Sequence, residues 1–257
     1  SSLFKDCIPD KEKMAEYTAM IQLWEPVAHD VIGFMDGVAV LSECTSETIE
    51  QNAMYSGYYS DTVVNNVIAY GADGKVFLCA INFPGSWHDG SICTNILPFI
   101  RERIGSYKVC VDQGFPRSGD ADGVLVGPIS RRSASRLSPI LHSYVLHLSN
   151  SYVSLRQASE WGMHGLQGSF PCCKKHLPLD KDKWQMVLEC IMFIHNFCTE
   201  IVGHNQIAEV FNPEYAHVVN IHGYNRIRRY YLEPGDYETD DEAELIEENF
   251  GRESDSK

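Results

Sequence analysis

Two periods organise the apolar residues. Lys11 to Trp24 carries Met14, Tyr17, Ala19, Ile21, Leu23 and Trp24 at helical spacing and stops before Pro26, which predicts a helix. Val31 to Leu41 is an almost unbroken apolar run interrupted by Asp36-Gly37, and reads as two strands or one bent strand with a carboxylate in its middle. Val63–Tyr70 and Val76–Asn82 are strand runs on either side of Gly71-Ala72-Asp73-Gly74, a turn signal, and predict a hairpin. Ser91 to Gly105 predicts a helix kinked or broken at Pro98. Tyr107–Val111 is a short buried strand closed by Asp112, and Gly123–Ile129 is another. Tyr152–Ser169 and Lys183–Gly203 read as helices, and no internal repeat is visible. Strands come first, then helices with two strands interleaved, so an α/β sandwich around a mixed sheet is expected.

Composition changes this picture little. Of 257 residues, 44% are hydrophobic and 22% charged, which excludes wholesale disorder and collagen-like repeats. The most apolar long run, Val187–Val202, is broken by Glu189, His195 and Asn196, so a buried helix is expected and no membrane span. No N-terminal stretch has the layout of a signal peptide, and the chain opens on Ser1-Ser2, as a piece of a longer protein would. Nine Cys, none in a CxxC pair, argue against a zinc site and for reduced, buried thiols, hence a nuclear or cytoplasmic setting.

Charge changes it more. The formal net charge is −14, and Glu233–Lys257 holds eleven Asp/Glu against Arg252 and Lys257. That leaves −5 for residues 1–232 and marks 233–257 as an acidic tail expected to be disordered. Three basic patches remain, each readable as a plain solvated face: Arg131-Arg132 with Arg136, Lys174-Lys175, and Arg226, Arg228 and Arg229 among tyrosines. The expected layout is a helical lead-in over 1–30, one domain over 31–215, and the tail.

Four carboxylates stand out. Asp36 interrupts a buried strand and Asp112 closes another, where an uncompensated charge is costly. Asp36 also fits a hairpin turn, with Gly37 after it. Glu160 falls on one helix face with Arg156 and His164, where an ordinary i, i+4 ion pair with Arg156 is the simpler reading. Asp89 follows Pro84-Gly85-Ser86-Trp87-His88 and either aims back at the sheet or, like Ser91, caps the next helix.

Five pieces in this order resemble the catalytic domain of PIF/Harbinger-type transposases, the DDE superfamily endonucleases. They are Gly33-Phe34-Met35-Asp36-Gly37, Asn66-Val67-Ile68-Ala69-Tyr70, Pro84 to Ser91, Val111-Asp112-Gln113-Gly114-Phe115-Pro116, and the helix with Asn150, Arg156, Glu160 and Gly162 that runs to Phe170. The late Ile194-His195-Asn196-Phe197 extends the match. The resemblance implies a ribonuclease H-like fold, a mixed sheet flanked by helices. It implies Asp36, Asp112 and Glu160 as a catalytic, metal-holding triad, with Asp89 as a further metal ligand. Arg156 and His88 would support them.

Hard oxygen ligands suit Mg²⁺ or Mn²⁺, and two such ions cut phosphodiesters without a protein nucleophile. The implied activity is therefore divalent-metal-dependent hydrolysis of DNA, with a separate protein able to supply DNA binding. Relatives carry Lys/Arg before the Asn66 strand, where this chain reads Tyr55-Ser56-Gly57-Tyr58-Tyr59-Ser60-Asp61. Gly162, Gly165 and Gly168 weaken the Glu160 helix by about 1 kcal/mol each relative to Ala. An inactive, domesticated copy retained as an interaction scaffold is the alternative. Asp120-Ala121-Asp122-Gly123 lacks the ligands of a calcium loop and reads as a turn. His195-Asn196 reads as part of a buried helix whose Trp184, Val187, Leu188, Ile191, Ile194 and Phe197 have core spacing.

Overall fold

The computed structural model describes residues 2–4, 8–130, 133, 135–177, 180–202 and 205–211. The acidic tail 233–257, Arg131-Arg132 and the Arg226–Arg229 patch lie outside the described residues.

Strand β1 (Ser2–Phe4) precedes helix α1 (Lys11–Trp24), which has the predicted bounds. Asp10 caps it by accepting from the Lys13 amide at 2.8 Å. Strand β2 (Val31–Leu41) is one strand, not two, and Val31–Met35 is buried throughout. Such a run forms where both faces of a strand are covered. Helix α2 (Thr48–Met54) and the two-residue β3 (Tyr55–Ser56) come next, both unforeseen in the sequence. The expected hairpin follows as β4 (Asp61–Gly71) and β5 (Val76–Pro84).

Helix α3 (Asp89–Ile104) runs through Pro98 without ending, and its buried Ile92, Ile96, Leu97 and Ile100 keep it on the sheet. Strand β6 (Lys108–Val111) ends at Asp112 as expected, whereas β7 shrinks to Leu125–Val126. Asp120 and Ala121 belong to a 3₁₀ turn, Gly119–Ala121, that Asp122-Gly123 continues as a plain turn, and Arg101 donates to the Asp120 and Asp122 carbonyls. Three helices complete the described chain: α4 (Pro139–Ser169), α5 (Lys181–Val202) and α6 (Gln206–Phe211).

The sheet order is β1-β5-β4-β2-β6-β7, with β3 adding a short ladder to β4. β1 to β5, β5 to β4 and β4 to β2 pair antiparallel, while β2 to β6 and β6 to β7 pair parallel. With helices flanking it, this mixed sheet has the ribonuclease H-like arrangement. The 1–30 stretch supplies an edge strand and a helix whose Met14, Tyr17, Met20 and Ile21 join the main core.

Two expectations need correction. The eight described cysteines are free, but only Cys79, Cys93, Cys110 and Cys173 are buried; Cys44, Cys172, Cys190 and Cys198 are exposed. On α5, Trp184, Leu188 and Ile191 are buried, whereas Val187, Ile194 and Phe197 are exposed. The helix is apolar on more than one side, and the sheet covers only one of them. Its polar pair serves the sheet. His195 Nε2 meets the Gly74 carbonyl at 3.0 Å, and the Asn196 amide bonds both the N–H and the C=O of Val76 at 2.7 Å. Among the described residues, no helix is long and apolar enough to cross a membrane.

Candidate active site

Asp36 and Asp112 become neighbours through strand register. In the parallel β2–β6 ladder Phe34 faces Cys110 and Met35 faces Val111. The next step along each chain is Asp36 and Asp112. Asp36 belongs to β2 and is no turn residue. Its Oδ1 accepts from the Gly37 amide at 2.8 Å. The Ser159 hydroxyl of α4 lies 3.4 Å from its Oδ2 and 2.7 Å from the Arg156 carbonyl, and its one proton serves a single acceptor at a time. Asp112 Oδ1 accepts from the Gly114 amide at 2.7 Å, which folds the following loop back on the carboxylate.

Asp89 arrives from the other face of the sheet. It is the first residue of α3, preceded by His88 at the N-cap, whose side chain makes no capping bond. Its carboxyl group sits where a Cβ on Gly37 would lie, so the missing side chain of β2 makes room for it. Neighbouring strand positions face opposite ways. Asp36 therefore meets α4 while Gly37 receives Asp89. The start of α3 also touches the Asp112 loop, because a Cβ on Gly90 would press on the Gly114 carbonyl.

The three carboxyls feel one another. Burial pushes the Asp36 pKa up to about 6, with the Gly37 amide opposing, Asp112 and Asp89 adding to the rise, and Arg156 lowering it. Burial and then Asp112 raise Asp89, while His88 favours its charged form. These acids line, or lie next to, a cleft of about 990 Å³ whose wall includes Asp36, Asp89, His88 and Trp87.

Glu160 is not drawn into this group. Its carboxylate pairs with Arg156 at 2.8 Å, the helical ion pair expected from spacing, and both side chains are part-exposed. It adjoins Ser159 in the chain, so it stands beside the Asp36 contact without joining it. Among the described residues no three His, Cys, Asp or Glu side chains gather as a ready-made metal cage. The donor chemistry still fits a hard divalent cation: the oxygens are carboxylates, they repel one another, and a cation would relieve the raised Asp36 and Asp89.

Two asparagines help build the site, although neither carried a role in the sequence reading and Asn66 entered only at the head of a matching piece. Asn65 Nδ2 donates to the Gly85 carbonyl at 3.2 Å and the Trp87 carbonyl at 2.6 Å, pinning the loop that leads to Asp89. Asn66 Nδ2 donates to Val38 and Val64 carbonyls, and its Oδ1 accepts from Asn82, a residue at φ 67°. Two amides inside an otherwise apolar strand were the available signal, since buried polar groups are retained where they make bonds. Gly162, a weak point for the helix by propensity, lies against the Tyr70 ring, which a Cβ would strike.

The sequence model for the DDE superfamily endonuclease family matches residues 35–196. No curated protein and no solved structure matches the chain. The family match covers more than half of the chain and includes Asp36, Asp89, Asp112 and Glu160. The chain belongs to the DDE superfamily endonucleases.

Proposed function

We propose that this domain is a transposase-derived, divalent-metal-dependent DNA endonuclease of PIF/Harbinger type, and that it hydrolyses phosphodiester bonds at the Asp36–Asp112 cleft. The observation that carries the reading is the convergence of Asp36, Asp112 and Asp89 from three separate elements beside the middle of β2, where β6 ends. Asp36 and Asp112, with Asp89 and Glu160 completing the set, would hold Mg²⁺ or Mn²⁺. Such ions supply Lewis-acid polarisation of the phosphoryl group and a deprotonated water at neutral pH.

The chain's own residues set the stage for that chemistry. The Gly37 and Gly114 amides orient the Asp36 and Asp112 carboxylates. Arg156 holds Glu160 on α4 until a stronger cation competes for it. Asn65 fixes the loop that delivers Asp89. Asp36, raised to about 6, must be ionised to ligate, so cleavage is expected to fall as pH drops below about 6.

A second reading has its own support. Among the described residues, the absence both of a preformed ligand cage and of any Lys or Arg lining the cleft suits a copy kept as an interaction scaffold. Incubation of supercoiled DNA with Mg²⁺ or Mn²⁺ decides. Cutting by the wild type, reduced at least about 100-fold in Asp112→Asn, supports the nuclease; equal cutting by both, or none by either, refutes it.

A further inference from the structure

The cleft has an aromatic wall for which phosphodiester hydrolysis has no use. Strands β3 and β4 pair through Tyr55–Thr62 and Ser56–Asp61 and leave a four-residue tip, Gly57 to Ser60. Ser60 adopts φ 53°, which closes this tight turn. The tip carries Tyr58 and Tyr59 at the cleft, with ring centroids 4.9 Å apart and planes at 85°. Tyr58 is 89% exposed and Tyr59 52%, so neither ring is consumed by the core.

Trp87 lines the same cleft and is 39% exposed. Phe83 backs its ring at 5.8 Å, and Asn65 holds its carbonyl at 2.6 Å. Tyr59 stands close enough to Asp89 and Asp36 for both to help burial raise its phenol above the ordinary range. The aromatic wall and the carboxylates therefore share one space.

The exposed rings argue for what occupies it. Among the described residues lining the cleft none is Lys or Arg, so this wall is not built to grip phosphates. An intact duplex keeps its base faces stacked inside and offers a protein its phosphates and groove edges. An unpaired strand offers base faces, which stack on aromatic rings with little regard to sequence. We propose that Tyr58, Tyr59 and Trp87 form a stacking platform for unpaired nucleobases, so that the cleft takes a single-stranded DNA segment rather than intact duplex. The proposal rests on the endonuclease reading for the identity of the polymer and adds the form in which that polymer is bound.

The test uses the full chain in Ca²⁺ buffer and fluorescence anisotropy. The probes are a labelled 12-nucleotide single strand, its duplex, and a strand of abasic units of the same length. The single strand is expected to bind about tenfold or more tighter than the other two. The Tyr58→Ala/Tyr59→Ala variant should weaken it about tenfold or more, the Phe/Phe variant less than about threefold, and Trp87→Ala should weaken it as well. Equal binding of duplex or abasic strand, wild-type affinity in the Ala variants, or no single-strand binding by the wild type would overturn the platform. If the double Ala variant loses its cooperative melt, Tyr58→Ala alone carries the test, since that ring is the most exposed. Cleavage separates the two claims. DNA cutting with no dependence of binding on Tyr58 sinks the platform alone. Aromatic-dependent binding without any cutting sinks the nuclease alone.

Discussion

Asp36 is the residue on which stability and function pull apart. Its folded-state pKa of about 6 exceeds the 3.8 of a free aspartate, mainly because burial disfavours the charge. The folded protein therefore binds a proton that the unfolded chain has already released between these two values. Stability falls as pH rises through that window, and the penalty is complete above about pH 6. Two pKa units correspond to roughly 3 kcal/mol as an upper figure. Asn keeps an oxygen for the Gly37 amide and gains donors that Ser159 Oγ can accept. Asp36→Asn is thus expected to raise unfolding free energy by about 1–3 kcal/mol at pH 7.5 and by almost nothing at pH 3.5. Urea titrations at the two pH values check this. A gain of the same size at both would mean that charge is not the cause.

Two glycines in β2 separate architecture from chemistry at the scale of one strand. A Cβ on Gly33 would collide with the Tyr70 carbonyl and the Phe77 ring, both fixed in the sheet. The atoms nearest a Cβ on Gly37 are those of the Asp89 carboxyl group, the free end of a side chain. Gly33→Ala is expected to cost on the order of 2–4 kcal/mol by overpacking. Gly37→Ala should melt within about 1 kcal/mol of the wild type yet lower cleavage about tenfold or more, because Asp89 is displaced. Paired thermal melts and cleavage assays read the contrast, and a Gly37→Ala protein that cuts normally would remove Asp89 from the site. The same strand shows what sequence could reveal. Val31–Leu41 was legible because a continuous apolar run with one acid has few other homes. Helix α4 was legible only from Tyr152. Its first thirteen residues mix Ser and His with exposed Leu141 and Tyr144, so no single buried stripe marks them. The α2–β3 stretch was silent because its burial is confined to Met54 and Ser56. On α5 the period was right and the face ambiguous, since apolar residues occur on both sides.

The assembly of the whole molecule explains why the acids could be named from sequence while their grouping could not. Strand register sets Asp36 beside Asp112, a long-range pairing; Asp89 needs the Gly37 gap; and Glu160 depends on whether Arg156 or a cation holds it. The net charge of −14 makes the final step electrostatic. Sodium chloride stabilises such a molecule only by screening, over a Debye length of about 10 Å at 0.1 M. A divalent ion bound at the carboxylates adds a second contribution, about 1.4 kcal/mol at 10 mM for a site with Kd near 1 mM. MgCl₂ should therefore raise the Tm of the wild type beyond NaCl of equal ionic strength. In Asp36→Asn that extra increment should vanish, although the variant starts from a higher Tm because its like-charge crowding is already relieved. The comparison must be of increments within each protein, since absolute Tm values would confuse relief of repulsion with loss of a ligand. An equal Mg²⁺ increment in both would place the bound ions elsewhere on the acidic surface and leave the Asp36–Asp112 cleft without its metal.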